Sequence, residues 1–383
     1  MSHSHFDVIV AGVGSMGSAA CWQLAERGKK VLGIEKFALG HDLGSHGGQS
    51  RIIRMAYFEH EDYVPLLKRA YNLWHDLETV SRQQVYYRTG LLYLGESNSA
   101  LLHGVQRSAD LFDVPVYPVE EAEFIEKYPM FWLPSGYQAL LEPYAGFLTP
   151  ERAINLMALE AIEDGAVIHA GEALVEWHVQ DNKVVVTTTD RVYTTDKLII
   201  TSGAWAPKLL PQLSAKLKVT RQTLAWMWPQ DQEIFELYKF PCWMMDDAAG
   251  IMYGFPMLDQ SAFGGHAGLK IARHLAGDET DADQVNRAVT SADKQPVLDF
   301  VKKFMPDASG PATAWKTCLY TYSPDEHFIV DFLPESAGKV LIATGFSGHG
   351  FKFAPVIGEI LADLAITGST PLPIDFLRLK RFG

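Results

Sequence analysis

Residues His5 to Lys36, HFDVIVAGVGSMGSAACWQLAERGKKVLGIEK, constrain the fold more than any other stretch. Val8, Ile9 and Val10 form a β-branched apolar run, Gly12, Gly14 and Gly17 follow in G-x-G-x-x-G spacing, and Ser15 to Arg27 read as a helix stopped by Gly28. A second apolar run, Val31 to Ile34, ends in Glu35. Strand, glycine turn, helix and strand, with a carboxylate roughly 20 residues on, is the setting in which this motif binds a dinucleotide. Gly12 permits a sharp turn, Gly14 leaves the main chain open to a pyrophosphate, and Gly17 lets helix and strand approach. Free N–H groups at the helix start then face the phosphates. Glu35 accepts from the ribose hydroxyls and repels a 2′-phosphate, so FAD or NAD is expected over NADP. The alternative is a tight turn without a ligand; three glycines agreeing with Glu35 weigh against it.

At 383 residues the chain exceeds one small core and is expected to form two intertwined domains. A formal charge of −13, with no basic stripe, argues against nucleic acid and anionic membranes as partners and for small molecules. The apolar runs are strand-sized, short of the roughly 20 residues that span a bilayer. Met1-Ser2-His3-Ser4-His5 carries no basic leader, so a cytoplasmic location is expected. Cys21, Cys242 and Cys318 lie far apart without C-x-x-C spacing, which suggests neither a disulfide framework nor a zinc site, and no metal is called for.

Behind Glu35 runs Gly40 to Gln49, GHDLGSHGGQ, a flexible stretch suited to wrapping a cofactor. Arg51 and Arg54 follow; on a helix start they would share a face and suit an anionic substrate, with surface salt bridges as the bland alternative. Tyr63 to Thr79 has helical periodicity, and Tyr86 to Leu94, broken at Gly90, reads as a strand opening a second module. Thr149-Pro150-Glu151 starts a helix with Thr149 as cap. Strands are expected at 166–170, 184–188 and 197–201, the last ending in Thr201-Ser202-Gly203-Ala204-Trp205, which resembles a second cofactor contact of the glutathione-reductase-like FAD folds. The segments 219–228 and 242–268 alternate as antiparallel strands do, 281–287 and 291–304 read as helices, and 312–322 as a strand carrying Cys318. An apolar strand, 340–344, leads into Gly345-Phe346-Ser347-Gly348-His349-Gly350-Phe351-Lys352 and a closing helix.

Three stretches together, GSHGGQSRIIRMAY (44–57), CLYTYSPDEHFIVD (318–331) and GFSGHGFKFAPVIGE (345–359), resemble the monomeric sarcosine oxidase and N-methyltryptophan oxidase family, and the likeness spans the chain. It implies an α/β fold in which a glutathione-reductase-like FAD-binding Rossmann domain (1–85, 146–215 and 318–383) is interleaved with an antiparallel-sheet α+β substrate domain (86–145 and 216–317). Cys318 matches the cysteine joined by a thioether to the flavin 8α carbon. Arg54 and Lys352 match the pair that clamps the substrate carboxylate, Lys270 the lysine that promotes oxygen reduction, and His274 and Tyr320 residues of the substrate pocket. Cofactor contacts are expected from Gly12, Gly14, Ser15, Met16, Gly17, Glu35 and Lys36 in the first module. Further contacts are expected from Ser45, His46, Arg51, Ile52, Gly203 and Trp205, and from Gly345, Phe346, Gly348, His349, Gly350 and Lys352 near the end. The chain departs from the family at Gly47 and Met55, each where a histidine stands, and at Met252, where the family has a tyrosine before the position of Tyr253; these imply altered pocket dimensions.

The resemblance implies a monomeric flavin oxidase of secondary α-amino acids, with a small anionic amine and O2 as its partners, FAD attached through Cys318, and H2O2, aldehyde and amine as products. A ring of positive charge from Arg54, Lys270 and Lys352 is expected on one face of the flavin, favouring the neutral amine, so activity should rise with pH. Two alternatives stand beside it. One is a D-amino or imino acid (pipecolate, glycine) oxidase or dehydrogenase; the other is a non-catalytic flavin-binding subunit.

Overall fold

Apolar runs at Ser4–Ala11 and Val31–Glu35 pair in parallel, and the helix Ser15–Glu26 packs between them and the helices Pro150–Glu163 and Ala354–Thr367. The structure is a computed structural model that describes residues 4–274 and 277–383, so the expected leaderless start at Met1 to His3 lies outside the described residues. Gly17 is required where it stands: a Cβ there would sit 1.9 Å from the Gly12 carbonyl oxygen. The parallel core runs Val167–Ala170, Val31–Glu35, Ser4–Ala11 and Val192–Ile200. The last strand divides its far edge, pairing antiparallel with Lys183–Thr188 over its first half and parallel with Val340–Thr344 over its second. This is the sheet of the expected FAD-binding Rossmann domain, with the helices Ser15–Glu26, Pro150–Glu163 and Ala354–Thr367 packed together against it.

A second eight-stranded sheet contains Lys218–Met227, Cys242–Asp247, Gly250–Gly254, Leu269–His274 and Ala312–Tyr322, and is antiparallel except where Leu91–Glu96 runs beside Cys242–Asp247. One face of it closes a separate core around Trp243, Phe240 and the helix Ser291–Phe304, where the Trp243 and Phe300 rings stack 5.3 Å apart. Buried aromatics of this size each contribute on the order of 2–3 kcal/mol by transfer from water.

Several local expectations change. The division drawn at residue 318 falls inside Ala312–Tyr322, whose backbone bonds to Lys218–Met227 along both their lengths, so this strand belongs to the second sheet. The division at residue 86 likewise meets Tyr86–Arg88, which joins Arg51–Ile53 and Gly146–Leu148 in a three-stranded sheet between the two halves. Arg51 is therefore on a strand, not a helix start, and Arg54 follows just past the strand's end. Thr149 precedes its helix without capping it; its hydroxyl lies 3.5 Å from the Val85 carbonyl oxygen instead. The segment 281–287 forms turns, because Asp281 and Asp283 bond outward to Lys208 and Lys36.

Candidate active site

A long cleft, open to solvent, lies where the parallel strands end against the second sheet, with a cavity volume of about 330 Å³. One end is built by the glycine turn. Gly14 precedes a helix with no side-chain cap and no acid in its first turn, which leaves N–H groups directed to the cleft. Glu35 is buried, accepting from Val13 N at 2.8 Å and Phe37 N at 3.0 Å, and its carboxylate faces this end. Trp205, Gly203, Lys36, Ser15 and Met16 line the same end. Asp283 closes it from the other half, accepting from Lys36 Nζ (2.8 Å) and Trp205 Nε1 (2.7 Å).

The cleft continues past Ser45, His46, Arg51 and Ile52 to the loop of Gly345, Phe346, Gly348, His349, Gly350 and Lys352. Gly348 has φ +80°, and a Cβ there would strike the Tyr320 ring at 2.4 Å; glycine lets the loop lie on that ring. A nucleotide-type cofactor is tested by what the cleft leaves unpaired. Among the described residues six buried side-chain polar atoms lack a partner, and four of them belong to cleft residues: His46 Nε2, Ser202 Oγ, Thr321 Oγ1 and Thr344 Oγ1. Buried polar atoms are normally bonded, so a polar ligand along this path fits the chain.

At the other end Arg54, Lys352, His274, Tyr320, Tyr253, Met244 and Glu59 converge. Arg54 is buried and paired with Glu59: Nη2 donates to both Glu59 oxygens at 2.5 and 2.6 Å, and Nη1 to the Ala56 carbonyl oxygen at 3.0 Å. Burial pushes the Glu59 carboxyl up, but Arg54, His349 and Lys352 bring it down to about 2. Lys352 donates once, to the His349 carbonyl oxygen at 2.7 Å, and burial with the neighbouring Arg54 charge pulls it down to about 7. Burial also pulls His274 down to about 4 and His349 down to about 3, so both rings are neutral near pH 7.

Three expected residues stand back from the cleft wall: Gly17, Cys318 and Lys270. Cys318 is buried on the strand that carries Tyr320; burial raises its thiol pKa while Arg51, Lys270 and Arg287 lower it. Lys270 Nζ donates to Gly48 O (2.6 Å), Ser50 O (2.7 Å) and Ser50 Oγ (3.3 Å), so its three protons are already engaged. Burial, with Arg51 beside it, holds Lys270 well below an ordinary lysine. The expected single ring of charge is two groups, Arg54 with Lys352 on the wall and Arg51 with Lys270 beside Cys318. The departures from the family also fall elsewhere than expected. Met252 is buried in the second core, Met55 packs on the first, and a Cβ at Gly47 would lie 2.7 Å from Asp42 Cα, so Gly47 serves a tight chain approach. Glu59, Met244 and Asp283 were not singled out from sequence; Glu59 is one acid in an FEHED run that reads as solvated surface.

Among the described residues no helix is long and apolar enough to cross a membrane, and no cluster of His, Cys, Asp and Glu is suited to a metal. The family model for FAD dependent oxidoreductases matches residues 7–364. A monomeric sarcosine oxidase of Streptomyces avermitilis is 37% identical over 378 residues, 98% of this chain and 97% of that protein. An N-methyl-L-tryptophan oxidase of Yersinia pestis is 35% identical over 381 residues, covering 98% and 99%. The same fold is seen in NikD, an unusual amino acid oxidase essential for nikkomycin biosynthesis (TM-score 0.86, 23% identity, 98% and 97% covered), and in L-proline dehydrogenase from P. horikoshii (TM-score 0.84, 23% identity, 100% and 98% covered). By its glycine turn, its cleft and its relatives, the chain belongs to the FAD dependent oxidoreductase family, in the group that contains the monomeric sarcosine and N-methyl-L-tryptophan oxidases.

Proposed function

We propose that this protein oxidises a small N-methyl or N-alkyl α-amino acid, with FAD held by the Rossmann segments and the substrate held between the second sheet and the pair Arg54 and Lys352. The observation that carries the reading is one cleft joining Glu35 and the glycine turn to Arg54 and Lys352, which come from segments about 300 residues apart in sequence. When bound, FAD would supply the two-electron acceptor for the carbon beside the amine and the donor for reduction of O2 to H2O2.

The chain's own part is positioning. Lys352, with two N–H groups free of protein partners, receives the substrate carboxylate first, and Arg54 joins as Glu59 gives way. Neutral His274, with Tyr253 and Tyr320, encloses the amine without adding charge. Holding the reacting carbon in place supplies much of the acceleration. Arg51, with Lys270 donating beside it, presents positive charge whose field favours the charge that builds up on oxygen during its reduction. Cys318 is the tether of the flavin in this reading; burial holds its thiol pKa up, and Arg51, Lys270 and Arg287 offset part of that rise.

A panel of N-methyl amino acids and their decarboxylated amines tests the reading, with anaerobic flavin bleaching and peroxide release as readouts. Bleaching by the acids and not by the amines is expected. Equal bleaching by both would remove the carboxylate clamp.

A further inference from the structure

We propose that Tyr57 is a positioning residue for the anion clamp: its ring contacts both Arg54 and Lys352 and offsets their mutual repulsion, and its hydroxyl fixes His349, whose carbonyl oxygen holds the Lys352 ammonium. The inference rests on the reading of Arg54 and Lys352 as the clamp.

The Tyr57 side chain is fully buried. The guanidinium carbon of Arg54 lies 4.3 Å from its ring centroid and Lys352 Nζ 5.1 Å. Two cations brought together in a poorly hydrated cleft repel one another, and the negative face of an aromatic ring attracts both. Phe353, meeting the ring edge-on at 88° and 5.4 Å, sets its tilt, and Ser108 Oγ bonds the Tyr57 carbonyl oxygen at 2.5 Å. Phe353 and Tyr63, whose ring centroid lies 5.1 Å away, thus hold the ring, and Ser108 holds the backbone.

The hydroxyl does separate work. It lies 2.5 Å from His349 Nδ1, while His349 Nε2 lies 3.2 Å from the Glu326 carbonyl oxygen. A carbonyl only accepts, so Nε2 carries the proton and Nδ1 accepts from Tyr57. A neutral His349 fixed in this way presents its own carbonyl oxygen to Lys352 Nζ at 2.7 Å. The other groups that face Lys352 are Arg54 and Glu59 from the segment that carries Tyr57, His274 from strand Leu269–His274 and His349 from its own loop. From the helix Val64–Ser81, the Trp74 indole donates to the Lys352 carbonyl oxygen at 2.9 Å. Tyr57 alone in this group touches both clamp cations through an uncharged face.

The test is a titration of holoenzyme with propionate between about pH 6 and 9, read by flavin absorbance, comparing wild type, Tyr57→Phe, and position 57 carrying pentafluorophenylalanine. In wild type, propionate binds less tightly as pH rises through about 7, where Lys352 loses its proton. Tyr57→Phe keeps the aromatic face and loses the His349 anchor, so binding weakens by a constant factor and the bend stays in place. The fluorinated ring has the size of Phe and no negative face. The bend then moves to lower pH, and near pH 8 propionate binds roughly three- to tenfold more weakly than to Tyr57→Phe. Superimposable curves for the two variants overturn the inference. A wild-type flavin spectrum that propionate leaves untouched at every pH overturns the clamp reading, and this inference with it.

Discussion

Replacing Glu59 with Gln removes the one negative charge that faces both Arg54 and Lys352 in the cleft. The structure sets two magnitudes for Glu59→Gln. The carboxyl sits at about 2 against an ordinary 4.5, and a displacement of about 2.5 pH units corresponds to about 3 kcal/mol of folding stability. Because the folded value is the lower one, this stability is present above pH 4.5 and is lost as pH falls through 2. Urea unfolding should therefore show the variant less stable by about 3 kcal/mol near pH 7, with the two proteins converging as the medium is acidified. The second magnitude concerns binding. Arg54 Nη2 spends its bonds on Glu59, and a charge-assisted bond of this kind is worth about 1.5–3 kcal/mol, so freeing Arg54 tightens an anionic substrate roughly tenfold or more. Glu59 also raises the Lys352 pKa, so without it Lys352 loses its proton earlier, and the gain in KM is confined to pH below about 7. A variant with wild-type unfolding curves at both ends of the pH range and an unchanged KM would refute the pairing of Glu59 with Arg54 in the folded protein.

Cys318→Ala should leave the yellow colour in the supernatant after acid precipitation, where wild type carries it into the pellet; colour in the wild-type supernatant removes the tether. Lys270→Met is expected to leave anaerobic flavin bleaching within about threefold of wild type and to slow reoxidation by O2 at least about a hundredfold, measured in separate stopped-flow half-reactions. The pH profile of kcat/KM should rise as the substrate amine deprotonates and then fall as Lys352, at about 7, loses its proton. An unbroken rise with pH, which the sequence alone suggests, would mean that Lys352 stays charged and that its burial is offset by a partner absent from the structure.

Local patterns carried the sequence reading furthest. The first βαβ unit was legible because glycine spacing, helix and acid all lie within 32 residues and need no distant partner. Strand Leu174–Gln180 and helix Ala100–Phe112 were not; in the strand Val175, Trp177 and Val179 alternate with polar residues, but most of its residues are exposed and mark no core face. The Asp281 to Arg287 segment has helical composition, but its acids bond to lysines of the other half, and tertiary contact prevails over local propensity. For the site, resemblance identified Arg54 and Lys352, and they do meet. It gave no means of seeing that Lys270 spends its protons on Gly48 and Ser50, since backbone acceptors leave no trace in side-chain composition.

The four lone polar atoms along the cleft also bear on how much of the protein a cell accumulates. Each such atom weakens the ligand-free fold by about 1–3 kcal/mol until something bonds to it, and a molecule that binds only the native chain adds stability in proportion to the logarithm of its concentration. Riboflavin supply is therefore expected to govern abundance as well as activity: in flavin-starved cells the polypeptide would be cleared by proteolysis rather than stored as a reserve of empty enzyme.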